Sequence, residues 1–518
     1  MYAFYVLFIM KLFTNDQIRS IERQIIKNEG VTTIELVERA ASAISWELMA
    51  RWRQSKKILI FAGPGNNGAD ALAVANILIE EGYSVEVLLF NIFDKLSEAC
   101  AHYRNKLRET SPSSLIEITS DFTPPYISTD SLVIDGLFGS GLKEPLSGGF
   151  QSLVDYINNS SATIVSIDIP SGMFAEWNER TLSRNAIHAT LTLAVEFPRL
   201  SFFIADNAEF LGEWKVLDIK LAPNDVRTET SPYFLLEKSD AYRLIRHRSR
   251  FTSKSDYGSC LLAAGSYGMM GAAIMAARGA LRAGIGRITI HSPRCGFNSC
   301  QTNLPEAMFE PDGNDIVITN IPQKHDYNVI AIGPGIGTHE YTVRAIESLI
   351  VAAKKPLVID ADALNCIAQR PSMLEHIPPM SVITPHDGEF DRLFGIHNSC
   401  EARLKRAIEK AAYYNIIILL KGFYTTVIRP DGKIYFLNNG TPAMATPGSG
   451  DVLTGIIAAL MAQGYSPDIS AALGAFIHSQ AGTMAAAEHG EYGVLATDIA
   501  ETTGKAIKSI MDTNPDNL

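Results

Sequence analysis

Gly440-Thr441-Pro442-Ala443-Met444-Ala445-Thr446-Pro447-Gly448-Ser449-Gly450-Asp451-Val452-Leu453-Thr454-Gly455 is the stretch on which the reading of this chain turns. From Asp451 to Ala462 the residues are almost continuously apolar, which predicts a buried helix. Gly448 and Gly450 then bare consecutive backbone N–H groups at the positive end of that helix, a place suited to negative charge on a transferring phosphoryl group. Asp451 stands at the helix start, where a carboxylate can take a proton from a substrate hydroxyl. Ser-Gly-Asp is also a serviceable helix N-cap, and both readings stand at this point.

Outward from that loop, β-branched runs alternate with helical stretches. Strands are expected at Cys260 to Ala264, Arg287 to His291, Asn328 to Ile332, Leu357 to Asp360, Ser381 to Thr384 and Ile416 to Leu420, with a helix at Gly271 to Ala283 and a hairpin around Pro430-Asp431-Gly432. The first half repeats the alternation with strands at Lys57 to Ala62, Ser84 to Phe90, Ser131 to Asp135, Thr163 to Asp168 and Thr190 to Val195, and a helix at Ala71 to Glu81. Such alternation predicts parallel sheets with helices on both faces, hence an α/β chain of two doubly wound domains, each a three-layer sandwich. The stretch LAPNDVRTETSPYFLLEKSD, 221 to 240, has two prolines and many polar residues, so the linker is placed at 226–240, between domains at 10–225 and 241–510.

A chain of 518 residues, 47% hydrophobic and 19% charged, can bury two large cores. A net charge of -11 offers no basic surplus for a phosphate backbone, so nucleic acid is excluded as the principal partner while a nucleotide is not. The six cysteines form no CxxC pair, which predicts reduced thiols, a cytoplasmic location, and neither zinc site nor disulfide. The opening MYAFYVLFI is apolar but too short to span a bilayer, with Met10 as an alternative start, and no later stretch reaches membrane-spanning length.

Three strand ends of the first half carry chemistry. Ile60-Phe61-Ala62-Gly63-Pro64-Gly65-Asn66-Asn67-Gly68-Ala69-Asp70 joins a strand to a helix through three glycines, either an anion cradle or a tight turn. Val133-Ile134-Asp135-Gly136-Leu137-Phe138-Gly139-Ser140-Gly141-Leu142 and Val165-Ser166-Ile167-Asp168-Ile169-Pro170-Ser171-Gly172 would open on the same carboxyl edge, where open α/β sheets bind ligands. Asn67, Asp135 and Ser171 could offer oxygens to a monovalent cation, leaving Asp168 for acid/base work; each Asp is otherwise a helix cap.

On these residues, Leu12 to Leu221 resembles the N-terminal epimerase domain of the NAD(P)H-hydrate repair enzymes, with a Rossmann-like fold. The resemblance implies that Asn66, Asn67, Gly68, Ala69, Asp70, Asp168 and the loop Gly139, Ser140, Gly141, Leu142, Lys143, Glu144, Pro145 bind the hydrated cofactor. It implies potassium at Asn67, Asp135 and Ser171, and interconversion of the R and S hydrates of NADH and NADPH. Where that family has GNNGGDG, this chain has Ala69 and Ala71.

From about Lys254 to Thr503 the second half resembles the ribokinase-like, ADP- or ATP-dependent dehydratases of the same hydrates. The resemblance is carried by the 440–455 loop together with GSYGMMGAA (265–273), NLPEAM (303–308), IGPGIG (332–337), VIDADALN (358–365), ITPHDGE (383–389) and LKGFYT (420–425). It implies that Ala272, Gly337, His386 and Asp451 contact the hydrate, and that Lys421, Gly422, Phe423, Tyr424, Thr425 and Gly450 hold the nucleotide, with Mg²⁺. Lys421 is a point charge for phosphate and Thr425 a hydroxyl donor; a lone histidine such as His386 is as readily structural. TPHDGE and TPGSGD replace the family's TPHPGE and TGGSGD, and Ser253-Lys254-Ser255 its HKG. The expected partners are small molecules, the two hydrates and ADP or ATP, with no nucleic acid and no membrane, and a homo-oligomer is the expected assembly. The rival reading is a ribokinase-like kinase of a small sugar or vitamin precursor; a second is a non-catalytic scaffold.

Overall fold

A computed structural model describes residues 10–178, 185–221, 229–322 and 327–513. The question of a start at Met1 or Met10, and the linker residues 226–228, lie outside them. The chain divides into two compact units, one of Leu12–Ser231 and Ser399–Glu401, the other of Pro232–Asn398 and Ala402–Leu518 with Met10 and Lys11.

The first unit is built on a seven-stranded sheet. Its spatial order is Leu115–Ile118, Ser84–Phe90, Lys57–Ala62, Leu132–Gly136, Thr163–Ile167, Leu191–Val195, Glu213–Leu217, and every pairing is parallel. Alternate side chains feed opposite faces: Ile58, Ile60 and Ala62 join Val37, Ile44, Leu72 and Leu107 in one core, while Leu59 and Phe61 join Leu153, Val154 and Ile157 in the other. This is the three-layer sandwich expected. The strand order reverses between Lys57–Ala62 and Leu132–Gly136, so the loops after those two strands part and leave a crevice.

The second unit carries an eleven-stranded sheet. Seven parallel strands run in the order Met308–Pro311, Arg287–Ser292, Ser259–Ala263, Val329–Ile332, Leu357–Ile359, Val382–Ile383, Ile417–Leu420. The antiparallel hairpin Thr425–Ile428 and Ile434–Leu437 follows, then Tyr233–Leu235 and Met10–Leu12 at the edge. Here the order reverses between Ser259–Ala263 and Val329–Ile332. Helices Met270–Arg282, Ser449–Ala462, Pro467–His489 and Ala496–Met511 cover one face through a core that includes Cys260, Leu262, Ala276, Val452, Ile456 and Ile499.

Residues 229–240 are not the open linker expected from their composition. Tyr233–Leu235 pairs in parallel with Ile434–Leu437, and Lys238–Leu244 is helical. Phe234, Leu235 and Leu236 are core residues, and burying that short apolar run outweighs the polar residues around it. All six cysteines are free. Among the described residues, no helix is long and apolar enough to cross a membrane.

Candidate functional site

Three helices that open toward the two sheet edges start without a side-chain cap. Asn66–Glu80 begins after Gly65, Met270–Arg282 after Met269 and Ser449–Ala462 after Gly448, whereas Thr14, Thr32 and Ser97 cap other helices. First-turn N–H groups left uncapped are available to an anion. The N-cap reading of Ser-Gly-Asp is thereby set aside: Ser449 Oγ lies 3.2 Å from Nε2 of the buried His478, and burial pulls His478 down to about 4, so it is neutral at physiological pH.

In the first unit the crevice is a cleft of about 1160 Å³ lined by Asn66, Asn67, Asp70, Gly139 to Glu144 and Asp168, with Arg19, Glu22 and Arg199. Gly68 and Ala69 are buried in the helix behind it, and Pro145 is not among its lining residues. Gly68 has no room for a Cβ, which would stand 1.8 Å from the Gly63 carbonyl oxygen. Ala69 is an ordinary helical residue whose N–H reaches the Gly65 carbonyl, so it carries no left-handed strain.

Asp168 terminates its strand with φ +67°, a conformation that turns the carboxylate into the cleft. Its Oδ1 accepts from Arg199 Nε at 3.0 Å and its Oδ2 from the Ser140 N–H at 2.8 Å. Asp70, on the same cleft, is raised well above the carboxylate range by burial and then by Asp168 and Glu22. Beneath the loop, the fully buried Asp135 accepts from the Ser166 hydroxyl, the Ser171 N–H and hydroxyl, and the Leu137 N–H. Both polar atoms of the buried Asn67 amide lack a hydrogen-bond partner. A buried amide oxygen without a donor could serve a cation of low charge.

In the second unit, Asp451, Lys421, Gly450 and His386 stand at the carboxyl edge of the sheet with Ala272 in the first turn of Met270–Arg282 and the loop of Gly337. Asp451 is half-buried, and loss of water, then the charge of Asp360, raises it to about 7 against the pull of Lys421. Lys421 Nζ sits 2.8 Å from Asp360 Oδ1 and 3.8 Å from Glu389, and a Cβ on Gly450 would lie 3.3 Å from that ammonium. Burial alone would lower Lys421; Asp360, Glu389 and Asp451 more than offset it, so the cation persists. The lysine is therefore held in a carboxylate nest that also faces Gly450. Phe423 and Tyr424 pack edge to face on the loop after it, with Phe423 exposed.

His386 is structural and exposed at once. Its Nδ1 accepts from the Gly388 and Glu389 N–H groups, which leaves Nε2 as the N–H side of the half-exposed ring, 3.4 Å from Glu389 Oε1. Pro447 suits the turn it occupies: Ser449 N–H bonds the Thr446 carbonyl at 3.2 Å and Gly448 has φ +89°, a type II turn in which proline and glycine hold their preferred positions. Gly337, φ +70°, donates its N–H to Asp362 Oδ2 at 2.9 Å.

Arg199 in the first unit and Asp360 and Thr454 in the second were not singled out from sequence. The last two lay inside quoted motifs; Arg199 had no signal beyond a lone charge in the apolar run Phe197 to Phe203.

The chain matches the NAD(P)H-hydrate dehydratase family over residues 260–505 and the YjeF-related protein N-terminus family over residues 33–201. It is 32% identical over 494 residues to a bifunctional NAD(P)H-hydrate repair enzyme of Coxiella burnetii, covering 94% of this chain and 97% of that one. It is 33% identical over 490 residues to another, of Moorella thermoacetica, covering 92% and 91%. A crystal structure of the ADP/ATP-dependent NAD(P)H-hydrate dehydratase from Bacillus subtilis, co-crystallized with ATP/Mg²⁺, is 29% identical and covers 53% of this chain and 97% of its own, with a TM-score of 0.48.

Proposed function

Because the chain belongs to the bifunctional NAD(P)H-hydrate repair enzymes, we propose that its first unit epimerises the R and S hydrates of NADH and NADPH, and that its second dehydrates the S hydrate with ADP or ATP. Family membership over nearly the whole chain favours this reading over a small-molecule kinase or a scaffold. The observation that carries the chemistry is Asp451, a half-buried carboxylate at about 7 beside an uncapped helix start and a retained lysine.

Hydroxide is a poor leaving group from C6 of the hydrated ring, and phosphorylation cures that. Asp451 takes the proton of the C6 hydroxyl as its oxygen attacks the terminal phosphorus, and the nucleotide leaves one phosphoryl group shorter. The Gly448 to Asp451 amides and Lys421 balance the charge that spreads over the phosphoryl oxygens. Phosphate then departs from C6 with the bonding electrons, a proton leaves C5, and the reduced cofactor is restored. Ala272, Gly337 and the Nε2 face of His386 are proposed to hold the hydrate, and Lys421 to Thr425 with Gly450 the nucleotide.

Mg²⁺ supplies charge neutralisation on the phosphates. In the first unit Asn67, Asp135 and Ser171 are proposed to hold potassium, which would answer the orphaned Asn67 amide, while Asp168 works on the proton at the reacting ring and the Asn66 to Asp70 and Gly139 to Pro145 loops bind the hydrate. A cytoplasmic homo-oligomer acting on small molecules is the setting we infer.

The test is the near-ultraviolet absorbance of reduced nicotinamide when purified protein meets a mixed R and S preparation of NADPH hydrate with ADP or ATP and Mg²⁺. Recovery beyond the S fraction, faster than spontaneous epimerisation and absent in Asp451→Asn, supports both activities. Recovery stopping at the S fraction removes the epimerase; none with either nucleotide removes the dehydratase.

A further inference from the structure

The segment Asp360-Ala361-Asp362 carries two carboxylates that the reaction above does not use. Asp360 is buried at the end of strand Leu357–Ile359, with Oδ1 2.8 Å from Lys421 Nζ and Oδ2 accepting from the Thr454 hydroxyl at 2.6 Å. Asp362, two residues on, accepts the Gly337 N–H on Oδ2 and the Asn365 amide on Oδ1 at 3.2 Å. Between them Ala361 has φ +49° and ψ -124°, backbone geometry that an L side chain disfavours. Such a conformation persists only where its surroundings fix it. Asp360 N–H bonds the Ile332 carbonyl, and a Cβ on Gly333 would stand 1.8 Å from the Asp360 carbonyl oxygen, so the backbone is clamped against the neighbouring strand end.

We propose that Asp360 and Asp362 are positioning residues that divide the second site between them, Asp360 ordering the nucleotide side through Lys421 and Thr454, Asp362 ordering the hydrate side through Gly337, with the strained Ala361 as the pivot that aims both. The assignment rests on the dehydratase reading of this site. Lys421 on a four-carbon stem is a mobile charge unless something holds it, and Asp360 is its nearest carboxylate. Thr454 lies one turn beyond Gly450 in the helix behind the anion loop, so the same carboxylate also ties that helix to the sheet. Asp360 has a second effect. The charges bearing on Asp451 are Asp360, Lys421, Asp362 and Glu389; His478, behind Ser449, stays neutral. Asp360 is the largest of the negative ones, so it helps keep the proton affinity of the base near neutrality.

The experiment uses the full chain, with S-NADPH hydrate, ADP or ATP and Mg²⁺, and reads kcat, the two KM values and the pH of half-maximal rate. It also reads protection from thermal unfolding by ADP with Mg²⁺ in the absence of hydrate. For Asp360→Asn we expect the half-maximal pH to move down, ADP protection to fall, and the hydrate KM to hold. For Asp362→Asn we expect the hydrate KM to rise about tenfold, the loss of one charge-assisted hydrogen bond, with ADP protection kept and a smaller downward shift of the half-maximal pH than Asp360→Asn gives. Thr454→Val deletes one bond to Asp360 without leaving a lysine unpaired, and should weaken ADP protection while sparing the hydrate KM even if Asp360→Asn does not fold. Full ADP protection in the Asp360 and Thr454 variants, or hydrate KM and ADP protection changed alike by both Asp variants, overturns the division of roles. A wild-type chain that never dehydrates the hydrate overturns the dehydratase reading, and this assignment with it.

Discussion

Asp451→Asn removes a charge and keeps a shape, so it separates stability from catalysis at one position. In the native chain the carboxyl is raised from 3.8 to about 7, by burial first and Asp360 second. Between those values the folded protein holds a proton that the unfolded chain has released, so stability falls as pH rises: the contribution is fully present below about pH 4 and lost above about pH 7. A separation of about three pH units corresponds to a ceiling of ~4 kcal/mol, and water reaching a half-buried group reduces this to ~1 to 2 kcal/mol. The asparagine variant cannot ionise and escapes the penalty. At pH 8 it should be more stable than the wild type by ~1 to 2 kcal/mol, and at pH 4.5 nearly equal. Dehydration should fall by about 10² to 10⁴, the worth of a general base, while the wild-type rate climbs through about pH 7 as Asp451 gives up its proton. All four tryptophans, Trp46, Trp52, Trp177 and Trp214, lie in the first unit, so fluorescence would report the wrong half. Hydrogen exchange of the Ser449–Ala462 helix amides, followed at pH 4.5, 6 and 8, reads the right one. A variant less stable than wild type at pH 8, or a wild-type rate with no inflection near 7, would refute the reasoning.

Further expectations follow from the same geometry. Asn67→Ala should abolish any rise in melting temperature that potassium gives the wild type over lithium, with little change in lithium alone; a potassium effect that survives would move the cation elsewhere. Ala69→Gly, which restores the family's glycine, should cost ~0.5 to 1 kcal/mol because the position is helical, and denaturant titration that finds a gain would show that the loop wants a left-handed residue. Ala361→Gly should stabilise by ~1 kcal/mol, the relieved backbone strain less the added freedom of the unfolded chain; a loss in differential scanning calorimetry would mean that Ala361 is not strained.

Much of this protein was legible in its sequence because the decisive signals are local. Strand periodicity set Lys57–Ala62 and Ser84–Phe90, and glycine-rich turns before apolar helices marked Gly65 and Gly448 as the starts of helices. Turn chemistry of that kind depends on a few neighbouring residues, so it survives without tertiary context. The short strands Leu115–Ile118, Tyr233–Leu235 and Met308–Pro311 did not announce themselves, since three or four residues carry too little pattern and their strand character comes from the partner they pair with.

The motif residues likewise offered candidates at the strand ends while the tertiary structure decided which of them meet. Asp168 was evident at its strand end, but Arg199, which holds it, is 31 residues away and reaches it only because adjacent parallel strands bring the two together. Asp360 and Thr454 are separated by 94 residues, and no spacing rule connects them; the strand order places one beside the helix that bears the other. Sequence determined which chemistry this chain can present. Long-range packing decided which carboxylates lose their water, which lysine they retain, and therefore that Asp451 titrates near neutrality, because proton affinity depends on the charges and solvent around a group and not on its neighbours along the chain.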